Sequence, residues 1–188
     1  MTAEERIFSI VRGGLYAKLP SLALPLGRLT CREGDVDPAG TDGEAAVFAP
    51  GLLRREFLAE SDLPERLTLH LLLHLMLGHP WGRQGRTRAL WDTACDLAVG
   101  LVRHALLPQE PETPAAFSAR CKLQARRAVR APAIYALLLE QPDALTAEEQ
   151  AAVYLDDHRL WQLSASASAP KTADGGAETG WQALGRKL

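Results

Sequence analysis

The chain has 188 residues, of which 47% are apolar and 23% charged, and its formal net charge is -2. This composition excludes wholesale disorder, suits one folded domain with or without a tail, and gives no overall attraction to nucleic acid or anionic lipid. Cys31, Cys95 and Cys121 have no paired spacing, which argues against a disulfide framework and favours a reducing, cytoplasmic compartment. The start of the chain lacks the apolar stretch of a secretory signal, and the longest apolar stretch, 67–77, is too short to cross a bilayer.

The N-terminal part of the chain predicts one helix and a small β element. Thr2 is a suitable N-cap for a helix that extends to about Arg12, where Gly13-Gly14 ends or bends it. Residues 21–25 have the composition of a loop. Two short segments, 28–32 and 45–49, flank a stretch rich in Gly and Asp, so they are candidates for a hairpin with a long connection.

From Gly51 onward the pattern is helical. Apolar spacing predicts helices over 52–59, 63–77, 87–106, 115–129, 133–140 and 147–154, the last with a capping box formed by Thr146 and Glu149. The predicted fold is therefore mainly α with a small β element, an α+β class, in a domain of residues 1–163. Residues 164–180 have the composition of a flexible linker, and 181–188 resume an apolar pattern that fits a docking segment or the start of a further helix.

A basic stretch that begins in the fourth of these helices has two interpretations. Its side chains could contact phosphates, or they could form a solvated helix face. Because no aromatic residues are interleaved with them and the whole chain is negative, we interpret the stretch as a solvated face. Its members are Arg120, Lys122, Arg126, Arg127 and Arg130.

The helix predicted over 63–77 carries two buried histidines. Between Leu67 and Leu77 its only residues that are not apolar are Thr68, His70 and His74, so the helix is expected to cross the core. A spacing of four residues places both imidazoles on one face, one turn apart, which is a chelating geometry. A buried imidazole without a partner costs about 1–3 kcal/mol, so two together need a shared explanation. We interpret the pair as ligands of a divalent metal; the alternative is that each bonds a polar group in the core.

Further ligands are needed because two histidines leave a tetrahedral ion short of protein donors. His79 follows Gly78, which ends the helix, so the chain can aim His79 at the site or away from it. The helix predicted over 87–106 is expected to pack antiparallel to the helix over 63–77. On it, Asp96 is either a ligand or an ordinary surface or capping acid. Asp92 is a candidate for orienting a histidine, and Cys95 is better explained as a small buried residue than as a ligand.

Three runs of residues together resemble a known family. They are His70-Leu-Leu-Leu-His74-Leu-Met-Leu-Gly-His79-Pro80, then Leu90-Trp91-Asp92-Thr93-Ala94-Cys95-Asp96, and Asp156-Asp157-His158-Arg159-Leu160-Trp161. In this order they resemble the metallopeptidase-like domain found N-terminal to von Willebrand factor A-like domains in bacteria. The resemblance implies a zincin-like core and a zinc site formed by His70, His74, His79 and Asp96. It also implies, as partners, an A-type domain protein or a MoxR-type AAA+ ATPase. The run at Asp156 could cap the site from a loop, or it could be a solvated turn.

At Leu71 this chain departs from the family pattern. Members commonly have glutamate after the first histidine, and this glutamate activates a zinc-bound water, whereas leucine cannot accept a proton. We therefore expect a zinc-binding, metallopeptidase-like domain without peptidase activity, a pseudoenzyme that serves as a binding or regulatory module. The alternative is an active hydrolase with a displaced base, for which Glu65, Asp92 and Asp157 are the candidates.

Overall fold

The structure, a computed structural model, describes residues 1–108, 130–146, 149, 154–161 and 176–185. The chain divides into two compact units, one formed by residues 1–82 and 156–188 and the other by residues 83–155. Most of the described residues are helical and one small sheet accompanies them, which confirms the predicted α+β class. Within the described ranges, every helix is too short or too polar to span a membrane.

The first unit begins with helix α1, Ala3–Lys18. The Thr2 side chain accepts a hydrogen bond from the Glu5 backbone N–H, and the Glu5 carboxylate accepts one from the Thr2 backbone, which completes a capping box. The helix does not end near Arg12, but continues through Gly13-Gly14 to Lys18. Its packing outweighs the weak helix propensity of glycine, because the buried stripe extends on both sides of the glycines: Ile7, Phe8, Val11 and Leu15.

The segment at 21–25, which we expected to be a loop, is helical. A 3-10 turn at Pro20–Leu22 leads directly into a short helix, α2, Ala23–Arg28. The Arg12 guanidinium donates hydrogen bonds to the backbone carbonyls of Leu26 and Leu29, at 3.3 and 2.9 Å. This contact from α1 satisfies carbonyl groups at the end of α2, and local composition could not predict it.

The sheet contains β1, Thr30–Glu33, β2, Ala39–Thr41, and β3, Ala45–Phe48, in the spatial order β1-β3-β2. β3 pairs parallel with β1 and antiparallel with β2, so the expected hairpin between the segments at 28–32 and 45–49 is wrong. The hairpin joins β2 and β3 instead, at a turn where the Asp42 carboxylate accepts hydrogen bonds from two backbone N–H groups. β2 is three residues long and contains a glycine, so its pattern does not predict a strand.

Helix α3, Leu52–Leu58, and helix α4, Leu63–Leu77, follow the sheet. α4 has the predicted bounds, because Pro64 lies in its first turn and Gly78, with φ of 73°, ends it in the left-handed conformation. Every residue from 67 to 76 is buried, so this helix crosses the core as its sequence predicts.

The second unit is built on α5, Arg88–Leu106, and α6, Ala131–Glu140, which pack against each other. The Thr87 backbone N–H, just before α5, donates to the Tyr135 hydroxyl of α6. The Arg86 guanidinium lies over the rings of Trp91 and Tyr135, 4.9 and 5.7 Å from their centroids. The helices predicted over 87–106 and 133–140 are thus confirmed.

Several predictions concern residues outside the described ranges. The helix predicted over 115–129, Cys121 and the basic stretch apart from Arg130 fall there, as does most of the helix predicted over 147–154. The capping pair of that helix is described: Thr146 N–H donates to Glu149 Oε2 and Glu149 N–H donates to Thr146 Oγ1, at 2.9 and 3.2 Å. The packing of α4 against α5 stays a prediction.

Helix α7, Gly176–Gly185, belongs to the first unit and packs on α4. It begins within the range predicted as a linker. Trp181 is buried, with the Arg28 guanidinium 4.9 Å from its ring centroid. Gly185 lies so close to α4 that a Cβ there would be 2.3 Å from the Met76 carbonyl oxygen. Helix α7 therefore covers one side of α4, the helix that carries His70 and His74.

Candidate metal centre

Helix α4 carries the first two imidazoles of the cluster. His70 and His74 are buried one turn apart, with ring centroids separated by 4.6 Å. Their Nε2 atoms face each other at 2.9 Å. Of the five histidines in the chain, four make contacts within this cluster: His70, His74, His79 and His158.

The turn at residues 156–161 lies beside α4 and carries Asp156. Its position is set at the edge of the sheet, where the Asp157 backbone N–H donates to the Ala39 carbonyl at 2.7 Å and Asp157 forms a bridge with Gly40. A Cβ at residue 40 would be 2.5 Å from the Asp157 carbonyl oxygen, so this close approach requires glycine. The Asp157 carboxylate accepts hydrogen bonds from the Arg159 backbone and guanidinium, which shapes the turn.

Three imidazoles converge on Asp156 Oδ1. This oxygen lies 3.0 Å from His70 Nε2, 2.9 Å from His158 Nε2 and 3.7 Å from His74 Nε2. All four side chains are buried. The other carboxylate oxygen, Oδ2, is also buried and has no hydrogen-bond donor among the residues that the structure describes. A buried carboxylate in this state is costly unless a cation compensates it.

The donor atoms fit a divalent ion. One atom each from His70, His74 and Asp156 lies within 4.8 Å of the others, an arrangement that could hold a metal. Their separations are 2.9, 3.0 and 3.7 Å, and a tetrahedral zinc ion with bonds of about 2.0–2.2 Å separates its ligand atoms by about 3.3 Å. Imidazole nitrogen and carboxylate oxygen are both donors that zinc accepts. The residues therefore fit the metal that the sequence predicts.

The alternative to a metal is a network of hydrogen bonds. An imidazole nitrogen carries either one proton or one lone pair, directed along a single line in the ring plane. His70 Nε2 has two neighbours, His74 Nε2 and Asp156 Oδ1, and it cannot make a full-strength hydrogen bond to both. A cation between the three atoms removes this conflict, because all three then direct lone pairs at it.

The cluster keeps Asp156 ionised. Burial by itself raises the pKa of this carboxyl, but the imidazoles of His158, His74 and His70 outweigh burial and hold the pKa well below its ordinary value. The ionised carboxylate is the form that binds a metal. The site therefore offers a negative charge that partly compensates the charge of the ion.

His79 lies on the other side of His74. Gly78 ends α4, and the 3-10 turn that follows, His79–Trp81, brings His79 Nδ1 to 2.9 Å from His74 Nδ1. His74 therefore contacts His79 through one ring nitrogen and His70 through the other. The role of His79 as a ligand stays a prediction.

The candidates on the next helix belong to the second unit. Asp96 and Cys95 are completely buried on α5. Asp92 forms an ion pair with Arg88 at 3.4 Å. The interpretation of Asp96 as a surface acid is wrong, since its side chain is inaccessible to solvent, and its role as a ligand stays a prediction.

Asp156 and His158 belong to the site although the sequence did not single them out as ligands. The run at 156–158 left two interpretations open, a cap over the site or a solvated turn. Burial of Asp156 and His158 excludes the solvated turn for these two residues. The signal that could have identified them is the composition of the run itself, since acids and histidine adjoin in a segment that also carries the family resemblance.

Leu71, next to His70, is completely buried on α4. The three acids considered as displaced bases each form an ion pair: Glu65 with Lys18, Asp92 with Arg88 and Asp157 with Arg159. Each of these carboxylates therefore already has a structural role.

The buried His/Asp cluster in an α+β fold defines a domain with a candidate metal site. Residues 13–180 match the protein family described as "Putative metallopeptidase domain". Since this match spans most of the chain, the chain belongs to that family. No curated protein and no solved structure shows a significant match.

Proposed function

We propose that the chain is a zinc-binding, metallopeptidase-like domain that lacks peptidase activity and acts as a binding or regulatory module. The observation that carries the proposal is the convergence of His70 Nε2, His74 Nε2 and Asp156 Oδ1 at a buried point. Two imidazoles and a carboxylate are a donor set that proteins use for zinc. His79 and Asp96 are the further ligands that the sequence predicts.

A bound ion would stabilise the first unit. Its ligands come from α4 and from a turn 86 residues further along the chain, so the ion would link two distant segments. Because the unfolded chain does not hold these donors together, metal binding adds to the free energy of unfolding. When bound with an open coordination position, zinc also supplies the Lewis acidity that peptide hydrolysis needs.

Leu71 argues against hydrolysis. In the family pattern, residue 71 would be the glutamate that accepts a proton from water, and leucine has no group that can do so. Loss of a general base typically lowers the rate by a factor of about 10² to 10⁴. The ion pairs of Glu65 and Asp157 support this proposal, since they give both candidate bases another role.

Family membership favours a second candidate function, an active metal-dependent peptidase with a displaced base. Digestion of a broad peptide library separates the two. We expect no more turnover with the wild-type chain than with His74→Ala. Turnover by the wild type that disappears in His74→Ala would show that the domain is a working peptidase.

Metal analysis tests the binding itself. After purification with added metals, we expect about one equivalent of zinc in the wild type and little in His74→Ala. His104→Ala is the matched control, because His104 is the one histidine that makes no contact with the cluster among the described residues. Less than about 0.1 equivalent of every transition metal in the wild type would contradict the proposal.

We propose, as partners, von Willebrand factor A-like domain proteins and MoxR-type AAA+ ATPases in the cytoplasm. The support is the resemblance of the three residue runs, together with a net charge that does not favour nucleic acid or anionic membranes. Co-expression with a MoxR-type ATPase from the same genome, followed by affinity purification of the chain, tests this. Recovery no greater than that of an unrelated AAA+ ATPase would contradict it.

A further inference from the structure

We propose that His158 is the third imidazole ligand of the ion, so that one unit supplies three histidines and one aspartate: His70, His74, His158 and Asp156. The proposal rests on the proposed function in one respect, namely that the cluster binds a divalent ion. In this proposal His158 occupies a coordination position on the ion for which the sequence predicts His79 or Asp96.

His158 approaches Asp156 in the same way as His70 does. Both rings present Nε2, and both nitrogens approach the same oxygen, Asp156 Oδ1, at 2.9 and 3.0 Å. The ring centroids of His74 and His158 are 5.1 Å apart, and those of His70 and His74 are 4.6 Å apart. Two imidazoles on one tetrahedral zinc ion have centroids about 5 Å apart, so both separations fit a shared ion.

Trp161 holds the His158 ring in place. The two rings stack with centroids 3.8 Å apart and planes inclined by 23°, and both side chains are buried. Stacking fixes the plane of the imidazole, so its Nε2 edge stays directed at Asp156. His158 is therefore pre-organised for coordination, which lowers the entropy cost of binding an ion.

His79 has a different relation to the cluster. It contacts Nδ1 of His74, whereas His70 Nε2 and Asp156 Oδ1 lie on the Nε2 side of His74, at 2.9 and 3.7 Å from that nitrogen. When His74 coordinates through Nε2, its Nδ1 carries the proton and donates it to His79 Nδ1. His79 is thus a positioning residue that fixes the tautomer of His74.

A set of four protein ligands has a consequence for function. Structural zinc sites are closed by four protein donors, whereas catalytic sites keep one position open for water or substrate. The assignment of His158 therefore gives a second reason for the lack of hydrolysis, and this reason is independent of Leu71.

The test uses the metal-free full chain with Co²⁺ as a spectroscopic probe and Zn²⁺ in competition. His158→Gln keeps an amide that can donate to Asp156 but is a poor metal ligand, and His79→Asn keeps an acceptor for the His74 proton. We expect His158→Gln to lower the affinity for both metals by more than about 100-fold and to change the visible Co²⁺ spectrum. We expect His79→Asn to lower the affinity by about 10-fold or less and to keep the wild-type spectrum.

A control variant and a second measurement separate the loss of a metal ligand from the loss of the fold. His104→Gln should retain the wild-type spectrum, and circular dichroism of each metal-free variant checks the fold. If His158→Gln fails to fold, zinc X-ray absorption of the unmodified protein gives the number of imidazoles, for which we expect three.

The outcomes distinguish this proposal from the proposed function. A wild-type chain that binds neither metal overturns both. Metal binding by the wild type with an unchanged spectrum in folded His158→Gln, or with two imidazoles by X-ray absorption, overturns only the assignment of His158.

Discussion

At the level of single residues, Asp156 is a carboxylate that is buried among three imidazoles. Those imidazoles hold its pKa well below the ordinary value in spite of burial. In the unfolded chain an aspartate has a pKa near 3.9. A carboxyl whose pKa is lower than this in the folded state stabilises the fold at pH values above the unfolded pKa. The stabilisation is lost as the pH falls through the folded pKa.

The first prediction follows from this sign. With a chelator present, Asp156→Asn should lower the free energy of unfolding at pH values above about 5, and the difference from wild type should shrink below about pH 4. Urea unfolding over this range measures it. A difference that grows on acidification below about pH 4 would contradict the assignment of Asp156 as an ionised carboxylate.

Leu71 gives the second prediction. Because its side chain is completely buried and apolar, Leu71→Ala should lower the free energy of unfolding by about 2–5 kcal/mol. Zinc stoichiometry of the folded variant should stay unchanged, since leucine is no ligand. Loss of zinc from folded Leu71→Ala would contradict this prediction, because it would show that the Leu71 side chain is needed to hold the metal ligands in place.

The sequence predicts part of the site at this scale. His70 and His74 follow from local periodicity, because their spacing and apolar neighbours place them together on a buried helix face. Asp156 lies 86 residues from His70, and local pattern cannot show which distant turn meets a helix. The decisive contact is the pairing of Asp157 with the short strand β2, which the sequence also does not predict.

At the scale of elements, two helical glycines are expected to differ in their response to the same substitution. Gly13 in α1 has no atom near its potential Cβ, whereas a Cβ on Gly185 in α7 would be 2.3 Å from the Met76 carbonyl. Gly13→Ala should therefore raise the free energy of unfolding by about 0.5–1 kcal/mol. Gly185→Ala should lower it by about 1–3 kcal/mol, because α7 has to move away from α4.

Thermal or urea unfolding of both variants measures this difference, and each serves as the control of the other. Equal stabilisation by the two substitutions would mean that α7 does not dock closely on α4.

The elements that the sequence predicts are those with strong local signals. α4 has Pro64 at its start and Gly78 at its end, and its predicted bounds are confirmed. Of the two outcomes expected at Gly13-Gly14, an end or a bend of α1, the end is wrong, and so is the expected hairpin. Tertiary packing decides the first and the choice of strand partner the second. Non-local contacts thus account for the differences.

At the scale of the whole molecule, the proposed ion should contribute to the stability of the chain. A strong chelator should lower the melting temperature of the wild type by about 5–10 °C, as expected when a ligand at about 100 times its Kd is removed. His70→Ala should melt lower than wild type without chelator and should not respond to it. Scanning calorimetry or circular dichroism measures these shifts, and an unchanged wild-type melting temperature would contradict a stabilising ion.

Calorimetric titration of the metal-free chain with Zn²⁺ measures whether the buried His/Asp cluster binds a metal ion. Buried imidazoles directed at a carboxylate should bind about one ion per chain with a Kd below about 1 µM, and His74→Ala should abolish the saturable heat. A wild-type chain that shows no saturable binding, or a His74→Ala variant that binds zinc as the wild type does, would contradict the account.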